Sequence, residues 1–310
     1  MPRFFCRFCR RTFSSQTFRH DYRDHRPDVN ARLFQLLCSG VGFRQAGRNL
    51  GLDASSLQRK ARKIGRTCKS LHDHLSVRLP AGRCWLLDEE ETYEGASIRP
   101  LTMPVLIEKE TWFIVATAVG SIRRLAPLGT ARRLRQDREE RHQVRPDQSA
   151  ACVRAVLSAL ADKVTEGPVL LRTDKKSSYA TIAAALFGDR LRHEAIAGSL
   201  VRDTHNPLFA INTTLAMSRD NCGRLRRRSW LVTKVGRWLQ NHMWIFIVYR
   251  NYVRRRFNRD EEVETPAKIL ALLPRNLVID EVLRWRQDWS EHSIHPLSFR
   301  GDRTVLQAVA

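Results

Sequence analysis

The chain has 310 residues, of which 43% are hydrophobic, and it carries a formal net charge of +22 with an isoelectric point near 10.7. This length accommodates one large domain or two to three smaller ones, and the apolar fraction excludes a globally disordered chain. The basic excess indicates a polyanionic partner, most often nucleic acid, or else a merely solvated basic surface.

The N-terminal segment FFCRFCRRTFSSQTFRHDYRDH predicts a zinc site. Four ligand side chains follow the spacing C-x2-C-x10-H-x4-H: Cys6, Cys9, His20 and His25. Two thiolates and two imidazoles form a tetrahedral zinc set, and metal binding would contribute about 10 kcal/mol to folding so small a unit. We expect a zinc-finger-like DNA-binding unit over residues 1–27. The alternatives are a chance CxxC in an arginine-rich arm, or a site in which Cys38 or Cys68 replaces a histidine.

Three short helices separated by glycines are expected next, over VNARLFQLLCSG, FRQAGRNLGL and ASSLQRKARKIG. The third ends at Gly65 in this interpretation, and the three together indicate an all-α helix-turn-helix over residues 28–67. Polar and basic side chains of the third helix suit phosphates and base edges: Gln58, Arg59, Lys60, Arg62 and Lys63. The alternative is a generic three-helix bundle with a solvated basic face.

From residue 83 onward the pattern alternates between strands and helices. CWLLDEEETYE predicts a strand whose buried part ends at Asp88, and LTMPVLIEKE and TWFIVATAVGS are β-rich. After an arginine-rich stretch at 122–146, expected to be an exposed insertion or linker, DQSAACVRAVLSALADKV predicts a helix. A buried strand then ends at Asp174, and a helix over 177–187, a short strand RLRHEAI and a last helix follow. This order predicts an α/β mixed sheet with flanking helices.

The two strand-end carboxylates, Asp88 and Asp174, would meet at a sheet edge if their strands are neighbours. Two acids forced together are costly unless a cation lies between them, and Mg²⁺ is the ordinary solution. The alternative is that both are ordinary strand-end carboxylates.

The last helix is expected to begin at Asn206 and Pro207. Asn212 and Arg219, seven residues apart, lie at the edge of its apolar stripe, whereas Asp220 lies about 80° farther round the helix. Asn212 therefore occupies the inward position. Basic residues beyond the helix are expected to contact phosphates: Arg224, Arg226, Arg227, Arg228 and Lys234. Trp230, Trp238 and Trp244 would stack on unpaired nucleotides or belong to a buried helix or strand.

The distribution of charge, the lack of long apolar stretches and the cysteine count together indicate where in the cell the protein lies. Residues 1–66 carry fifteen Arg and Lys against four Asp and Glu, and residues 219–259 carry twelve against one. No stretch reaches the roughly 18 apolar residues of a membrane helix, and the N-terminus lacks a signal-peptide core. Seven cysteines, an odd number, indicate reduced thiols. We therefore expect a cytoplasmic protein that does not engage a membrane.

Seven motifs, taken in their order along the chain, resemble bacterial insertion-sequence transposases. They are CRFCRRTFS, SGVGFRQAGRNLG, LDEEETYE, LIEKETWFIVATAVG, LRTDKKSSY, INTTLAMSRDNCGRLRRRSW and YRNYVR. The type has an N-terminal zinc finger, a helix-turn-helix and a DDE catalytic domain of ribonuclease-H-like fold. The resemblance covers residues 4–256 and implies a bacterial protein that associates with the nucleoid. It implies a catalytic domain over 80–257, followed by a C-terminal helical tail over 258–310.

The resemblance also implies roles for individual residues. Asp88 and Asp174 would be the first two ligands of Mg²⁺ or Mn²⁺, and Asn212 stands where the third acid of the family is expected. An amide oxygen binds Mg²⁺ but brings no charge, so Asp220 is the fallback ligand. Arg219 would contact DNA phosphate, with Lys234 as a weaker candidate. His205 would assist the leaving 3′-oxygen or cap the helix.

The implied activity is cleavage of double-stranded DNA at transposon terminal repeats and transfer to target DNA, by a homo-oligomer assembled on that DNA. Because Asn212 replaces an acid, a rival interpretation is a catalytically inactive DNA-binding regulator, or domesticated relative, that keeps the finger and the helix-turn-helix. A third is an RNA-processing nuclease of the same fold, against which the helix-turn-helix argues.

Overall fold

The computed structural model describes residues 2–201, 203–226 and 230–286. Its strands are β1 (Phe4–Phe5), β2 (Thr12–Phe13), β3 (Cys84–Tyr93), β4 (Pro100–Glu108), β5 (Ile114–Thr117), β6 (Gly120–Ser121), β7 (Val169–Asp174) and β8 (Leu191–Ile196). Its helices are α1 (Asn30–Leu37), α2 (Phe43–Leu50), α3 (Ala54–Leu75), α4 (Ala131–Glu140), α5 (Ser149–Lys163), α6 (Ser177–Phe187), α7 (Phe209–Asn221), α8 (Gly236–Val248), α9 (Pro266–Ile269) and α10 (Ile279–Arg284). A π-helical segment, Tyr249–Val253, continues α8.

Six strands form a mixed sheet in the order β5-β4-β3-β7-β8, with β6 also paired to β4. The pairs β3–β4 and β4–β5 are antiparallel, whereas β7 runs parallel to β3 and β8 runs parallel to β7. The α/β class and the mixed sheet with flanking helices, both predicted from the alternation of strands and helices, are confirmed. The end of β7 at Asp174 and the bounds of α6 also match the prediction.

The β-rich segment TWFIVATAVGS forms two short strands, β5 and β6, instead of one. The break lies opposite Pro104 of β4, because β5 pairs with β4 from Val105 onward and β6 pairs only with Leu101 and Thr102. Proline has no N–H to donate to a neighbouring strand. Its carbonyl oxygen instead accepts a hydrogen bond of 2.9 Å from Oγ1 of Thr117.

Helices cover both faces of the sheet, and two adjacent residues of β3 show which helix lies on which face. Successive strand residues point to opposite faces. Glu89 contacts Tyr179 of α6, whereas Glu90 contacts Arg219 of α7. α6, together with α5 packed against it, therefore lies on the Glu89 face, and α7 lies on the Glu90 face.

Helix α3 extends to Leu75, ten residues beyond the end predicted at Gly65. Gly65 does not stop the helix; it lets α8 approach closely, because a Cβ at this position would overlap the carbonyl oxygen of Asn241. Farther along α3, Nε2 of buried His72 bonds the carbonyl oxygen of Val115 in β5 at 2.9 Å. α3 thus crosses the predicted boundary at residue 67 and joins the helical part to the sheet.

The arginine-rich stretch at 122–146, predicted to be an exposed insertion or linker, contains helix α4. Most of its side chains are exposed, but Gln136 is buried and receives the backbone N–H of Ala126 at 2.8 Å while donating to the carbonyl oxygen of Arg124 at 2.9 Å. These bonds fix α4 to the segment that follows β6.

The region predicted as a helical tail, 258–310, is described as far as residue 286. It contains the short helices α9 and α10, and α10 packs against α1 and α3. The rest of the predicted tail lies outside the described residues. None of the helices in the described ranges is both long and apolar enough to span a lipid bilayer.

Candidate functional site

Asp88 and Asp174 lie on adjacent strands. β3 and β7 pair in parallel with Leu87 opposite Thr173, so one further step along each strand reaches the two aspartates. Neighbouring strands lie about 4.8 Å apart, and paired residues of parallel strands point to the same face. Both side chains are half-buried. The topology thus brings together two carboxylates that are 86 residues apart in the sequence.

Helix α7 covers the face of the sheet to which these carboxylates point. Its Arg219 forms an ion pair with Glu90, which is almost fully buried and lies two residues after Asp88 on the same face of β3. Seven residues make nearly two full helical turns, so Asn212 lies on the same side of α7 as Arg219. Asn212 is half-buried and lies at the edge of the buried stripe that contains Ile211 and Leu215.

Asp220 and His205, the other two candidate residues near α7, have exposed side chains. The side chain of Asp220 is 83% exposed at the C-terminal end of α7, since one residue rotates it about 100° away from Arg219. His205 is exposed, with its ring Nδ1 3.8 Å from the carboxylate of Asp203. α7 begins at Phe209, later than expected, and it is Asn206 whose side chain accepts the N–H of Leu208 at 2.8 Å. The fallback ligand and the proposed histidine cap are therefore not supported by this geometry.

A cluster on the opposite face of β3 was not predicted. Glu89 accepts hydrogen bonds from Lys176 Nζ at 2.6 Å, Tyr179 Oη at 2.9 Å and Thr102 Oγ1 at 2.5 Å. Burial, followed by the charge of Glu89, raises the pKa of Tyr179, so its hydroxyl stays protonated and donates. The cluster ties β3 to the start of α6. The acidic run and the motif LRTDKKSSY contain its members, but only the topology brings them together.

The donor set of Asp88, Asp174 and Asn212 suits a hard divalent cation, because all its donor atoms are oxygens. The carboxylate of Asp174 accepts the backbone N–H of Lys176 at 3.0 Å, and a carboxylate has about four acceptor positions. Among the described residues, no group of three or more His, Cys, Asp or Glu side chains is placed to hold a metal. The amide of Asn212 falls outside those residue types, so this candidate set rests on two acids and an amide.

The structure brings together half of the predicted zinc set. The backbone N–H of Cys9 lies 3.5 Å from Sγ of Cys6, and this N–H lowers the pKa of the Cys6 thiol, which favours the thiolate that binds zinc. His20 packs near the backbone of Leu283 in α10, and burial lowers its pKa. His25 is exposed. In the described conformation the two histidines do not join the cysteines in one group, and zinc binding stays a prediction.

The alternative set with Cys38 or Cys68 is disfavoured. Both thiols are buried in the core formed by the helices, and burial raises the pKa of each well above its ordinary value. A raised thiol pKa opposes the thiolate form that zinc requires. In the described conformation neither cysteine is grouped with Cys6 and Cys9.

We expect the purified protein to contain one zinc ion per chain and the Cys9→Ser variant to contain none. The thiolate of Cys9 would be one of four ligands, and losing it should also loosen residues 4–26. Elemental analysis of protein prepared without chelators measures the first effect, and limited proteolysis measures the second. Cys84→Ala, in the central sheet, is the control and should keep its zinc. Wild-type protein without zinc would contradict the prediction.

Two of the five α3 side chains that were predicted to contact DNA form ion pairs and hydrogen bonds within the protein instead. Lys60 is buried, and its Nζ donates to Asp24 at 3.1 Å and to the carbonyl oxygen of Arg26 at 2.7 Å. Lys63 Nζ donates to Asp24 at 2.6 Å and to the carbonyl oxygen of Tyr22 at 2.6 Å. The interpretation of Lys60 and Lys63 as DNA contacts is thus corrected, because they hold the N-terminal unit on α3.

The remaining predicted DNA contacts are divided between surface and interior. Gln58, Arg59 and Arg62 are at least partly accessible on α3, as are Arg226 and Lys234 farther along the chain. Arg224 is 6% exposed and therefore does not belong to an open basic surface. Arg227 and Arg228 lie outside the described residues. Among the tryptophans, Trp230 is exposed, whereas Trp238 is half-buried and Trp244 is buried, so the core interpretation applies to Trp244.

Neither a protein-family model nor a curated protein matches this chain.

Proposed function

We propose that this protein is a metal-dependent DNA transposase of the insertion-sequence type, acting in the cytoplasm. The observation that carries the proposal is the parallel pairing of β3 with β7, which puts Asp88 and Asp174 side by side beneath α7. The strand order, three antiparallel strands followed by two parallel ones, is also the order expected of a ribonuclease-H-like domain.

Each residue of the site has a separate task in this mechanism. Asp88 and Asp174 would hold divalent cations, and the amide oxygen of Asn212 would complete the set without adding charge. Mg²⁺ or Mn²⁺ supplies polarisation of the phosphodiester and activation of the attacking hydroxyl when it is bound. Arg219 holds α7 on the sheet through Glu90 while its partly exposed guanidinium remains accessible to a DNA phosphate.

The reaction is a pair of in-line displacements at phosphorus. Water first cleaves the phosphodiester at an element end and releases a 3′-hydroxyl. That hydroxyl then attacks a phosphodiester of the target DNA, joining the two and releasing a new 3′-hydroxyl. No covalent protein intermediate is needed, and positioning and charge stabilisation provide the catalysis.

The N-terminal parts would recognise DNA. A zinc finger over residues 1–27 and a helix-turn-helix over 28–67 would bind the terminal repeats as duplex. Gln58, Arg59 and Arg62 lie on α3 as candidates for base and phosphate contacts. Joining two element ends requires two copies of the protein, so we propose a homo-oligomer on DNA.

One observation favours a second candidate function. Asn212 lies where the family carries an acid, and an amide lowers the negative charge available to a metal. A protein that keeps DNA binding but lacks strand cleavage, a regulator, is therefore the alternative.

The experiment that tests the proposal is a nicking assay on duplex DNA that carries the terminal repeats bracketing the gene. The transposase predicts cleavage at the repeat ends with Mg²⁺ or Mn²⁺ and none without a divalent ion. Binding to the repeats without cleavage in either metal would support the regulator. Cleavage of RNA or of an RNA–DNA hybrid instead would indicate an RNA-processing nuclease.

A further inference from the structure

A cavity of about 640 Å³ lies between the start of α2 and the segment that follows α7. Its lining includes Arg44 and Arg48 of α2, Gln58 of α3, and Arg224, Trp230 and Lys234 beyond α7. Sites for small ligands typically measure about 300–1,000 Å³. The cavity is therefore the size of a site for a small group or a single nucleotide, and it is too small to receive a duplex.

Arg224 lines this cavity and is almost fully buried. It stacks 4.6 Å from the ring of Phe43, and its Nη1 donates to Thr233 Oγ1 at 3.3 Å. Among the described residues, burial alone shifts its pKa and no carboxylate opposes that shift, and its buried Nε has no hydrogen-bond partner. Burial lowers its pKa only to about 10, so it stays charged at neutral pH. An unpaired buried charge is costly, and an anion in the cavity would compensate it.

The surroundings of Arg224 also favour an anion. Arg44 and Arg48 are exposed and one helical turn apart at the cavity wall. The first backbone N–H groups of a helix have no acceptor within the helix, and those of α2 begin at this wall. His242 adds no charge, because burial lowers its pKa to about 4. The concentration of donors and cations suits a phosphate group.

Trp230 adds a different kind of contact. It lines the same cavity, and its side chain is 73% exposed, so its ring faces solvent instead of the core. An exposed aromatic ring beside cationic groups is the arrangement with which proteins hold unpaired bases, since every base can stack on it.

We infer that this cavity binds a phosphate-bearing nucleotide of single-stranded DNA, with the phosphate at Arg224 and the base on Trp230. The inference rests on the proposed function only for the choice of DNA. By helical rise, the end of α7 lies about 14 Å beyond Asn212. An unpaired strand passing the catalytic site could therefore place a nucleotide a few positions away in this cavity.

The test measures binding of a 3′-labelled, 5′-phosphorylated hexathymidylate to the full chain by fluorescence anisotropy, without added divalent ions. Trp230→Ala should raise the dissociation constant about tenfold, whereas Trp230→Phe should retain most of the affinity. Arg48→Ala should lower the slope of log affinity against log salt by about 0.7. Both positions are exposed, so the variants should fold.

Arg78→Ala removes an exposed positive charge outside the cavity and is the matched control, with unchanged binding expected. Unlabelled thymidine 5′-monophosphate should compete weakly, and thymidine without phosphate should not compete. Equal affinity for the monophosphate and the hexamer would overturn the assignment to single-stranded DNA. Wild-type affinity in Trp230→Ala and Arg48→Ala would overturn the site itself.

The outcome is separable from that of the proposed function. The hexamer assay contains no divalent ion, so its result does not depend on the catalytic metal. If strand cleavage is never observed while binding still depends on Trp230, the cavity inference stands and the transposase proposal fails. If cleavage occurs and Trp230→Ala binds normally, the inference alone fails.

Discussion

Asp88→Asn and Asp174→Asn are each expected to lower metal-dependent DNA cleavage by about 10³-fold while leaving the fold intact. The substitution keeps the shape of the side chain and removes the negative charge that would hold the cation. A bound metal contributes several kcal/mol to transition-state stabilisation, and each 1.36 kcal/mol corresponds to a factor of ten in rate. Both aspartates are half-buried at the edge of the paired region of β3 and β7, so no core packing is lost.

The control for this pair is Glu166→Gln. Glu166 is exposed just before the opposite end of β7, so its substitution removes the same charge far from the candidate site. Cleavage by Glu166→Gln should equal that of the wild type, measured as initial rate on repeat-bearing duplex under identical metal concentrations. Undiminished cleavage in either aspartate variant would remove that residue from the catalytic site.

Asp24→Asn is expected to reduce the free energy of unfolding by about 3 kcal/mol, the cost of leaving the buried charge of Lys60 without its counter-charge. Lys60→Met should cost less, because Lys63 still pairs with Asp24. The side chains of Asp24 and Lys60 are 7% and 8% exposed, and Asp24 also pairs with Lys63 at 2.6 Å. Because these contacts join the N-terminal unit to α3, the destabilisation should be largest in residues 2–29. Urea denaturation measures the free energy, and hydrogen exchange locates the effect.

The same pair makes stability depend on pH. Burial raises the pKa of Asp24, but hydrogen bonds from Lys63, Asn30 and Lys60 together outweigh it, so the pKa lies below the ordinary value. A lowered folded-state pKa stabilises the protein above the ordinary carboxyl pKa of about 4, and this contribution disappears as the pH falls below it. Asp24→Asn should therefore show a weaker loss of stability in acid than the wild type.

Asp28→Asn provides the comparison. Asp28 lies four residues after Asp24 and forms an ion pair with Arg26. The side chains of Asp28 and Arg26 are both at least half exposed. Exposed ion pairs contribute little to stability. Asp28→Asn should thus unfold as the wild type does, and equal destabilisation by Asp24→Asn and Asp28→Asn would refute the buried-pair explanation.

Local patterns predicted much of the central domain. The apolar run before Asp174 and the polar residues after it marked the end of β7, and the periodicity of 177–187 gave the bounds of α6. These elements are determined by residues close in sequence. The mixed sheet followed from their order along the chain, since strands separated by helices pack in a limited number of ways.

Contacts between residues that are far apart in the sequence could not be predicted from local patterns. Gly65 reads as a helix stop from its neighbours, whereas its role is set by α8, some 175 residues later. The local sequence predicts that Lys60 is an exposed cation, whereas in the structure it is buried and paired with Asp24. Glu89, Lys176 and Tyr179 were all visible in the sequence, yet nothing local indicates that they meet. The partner of each side chain decides its role, and that partner is known only from the tertiary structure.

The most direct test of the central claim counts manganese ions. Mn²⁺ is titrated into the wild type and into the Asp88→Asn, Asp174→Asn double variant, each bound to repeat-bearing DNA, and free Mn²⁺ is measured by electron paramagnetic resonance. The metal site proposed on β3 and β7 predicts at least one more Mn²⁺ bound per chain in the wild type. Equal Mn²⁺ binding by the two proteins would contradict it.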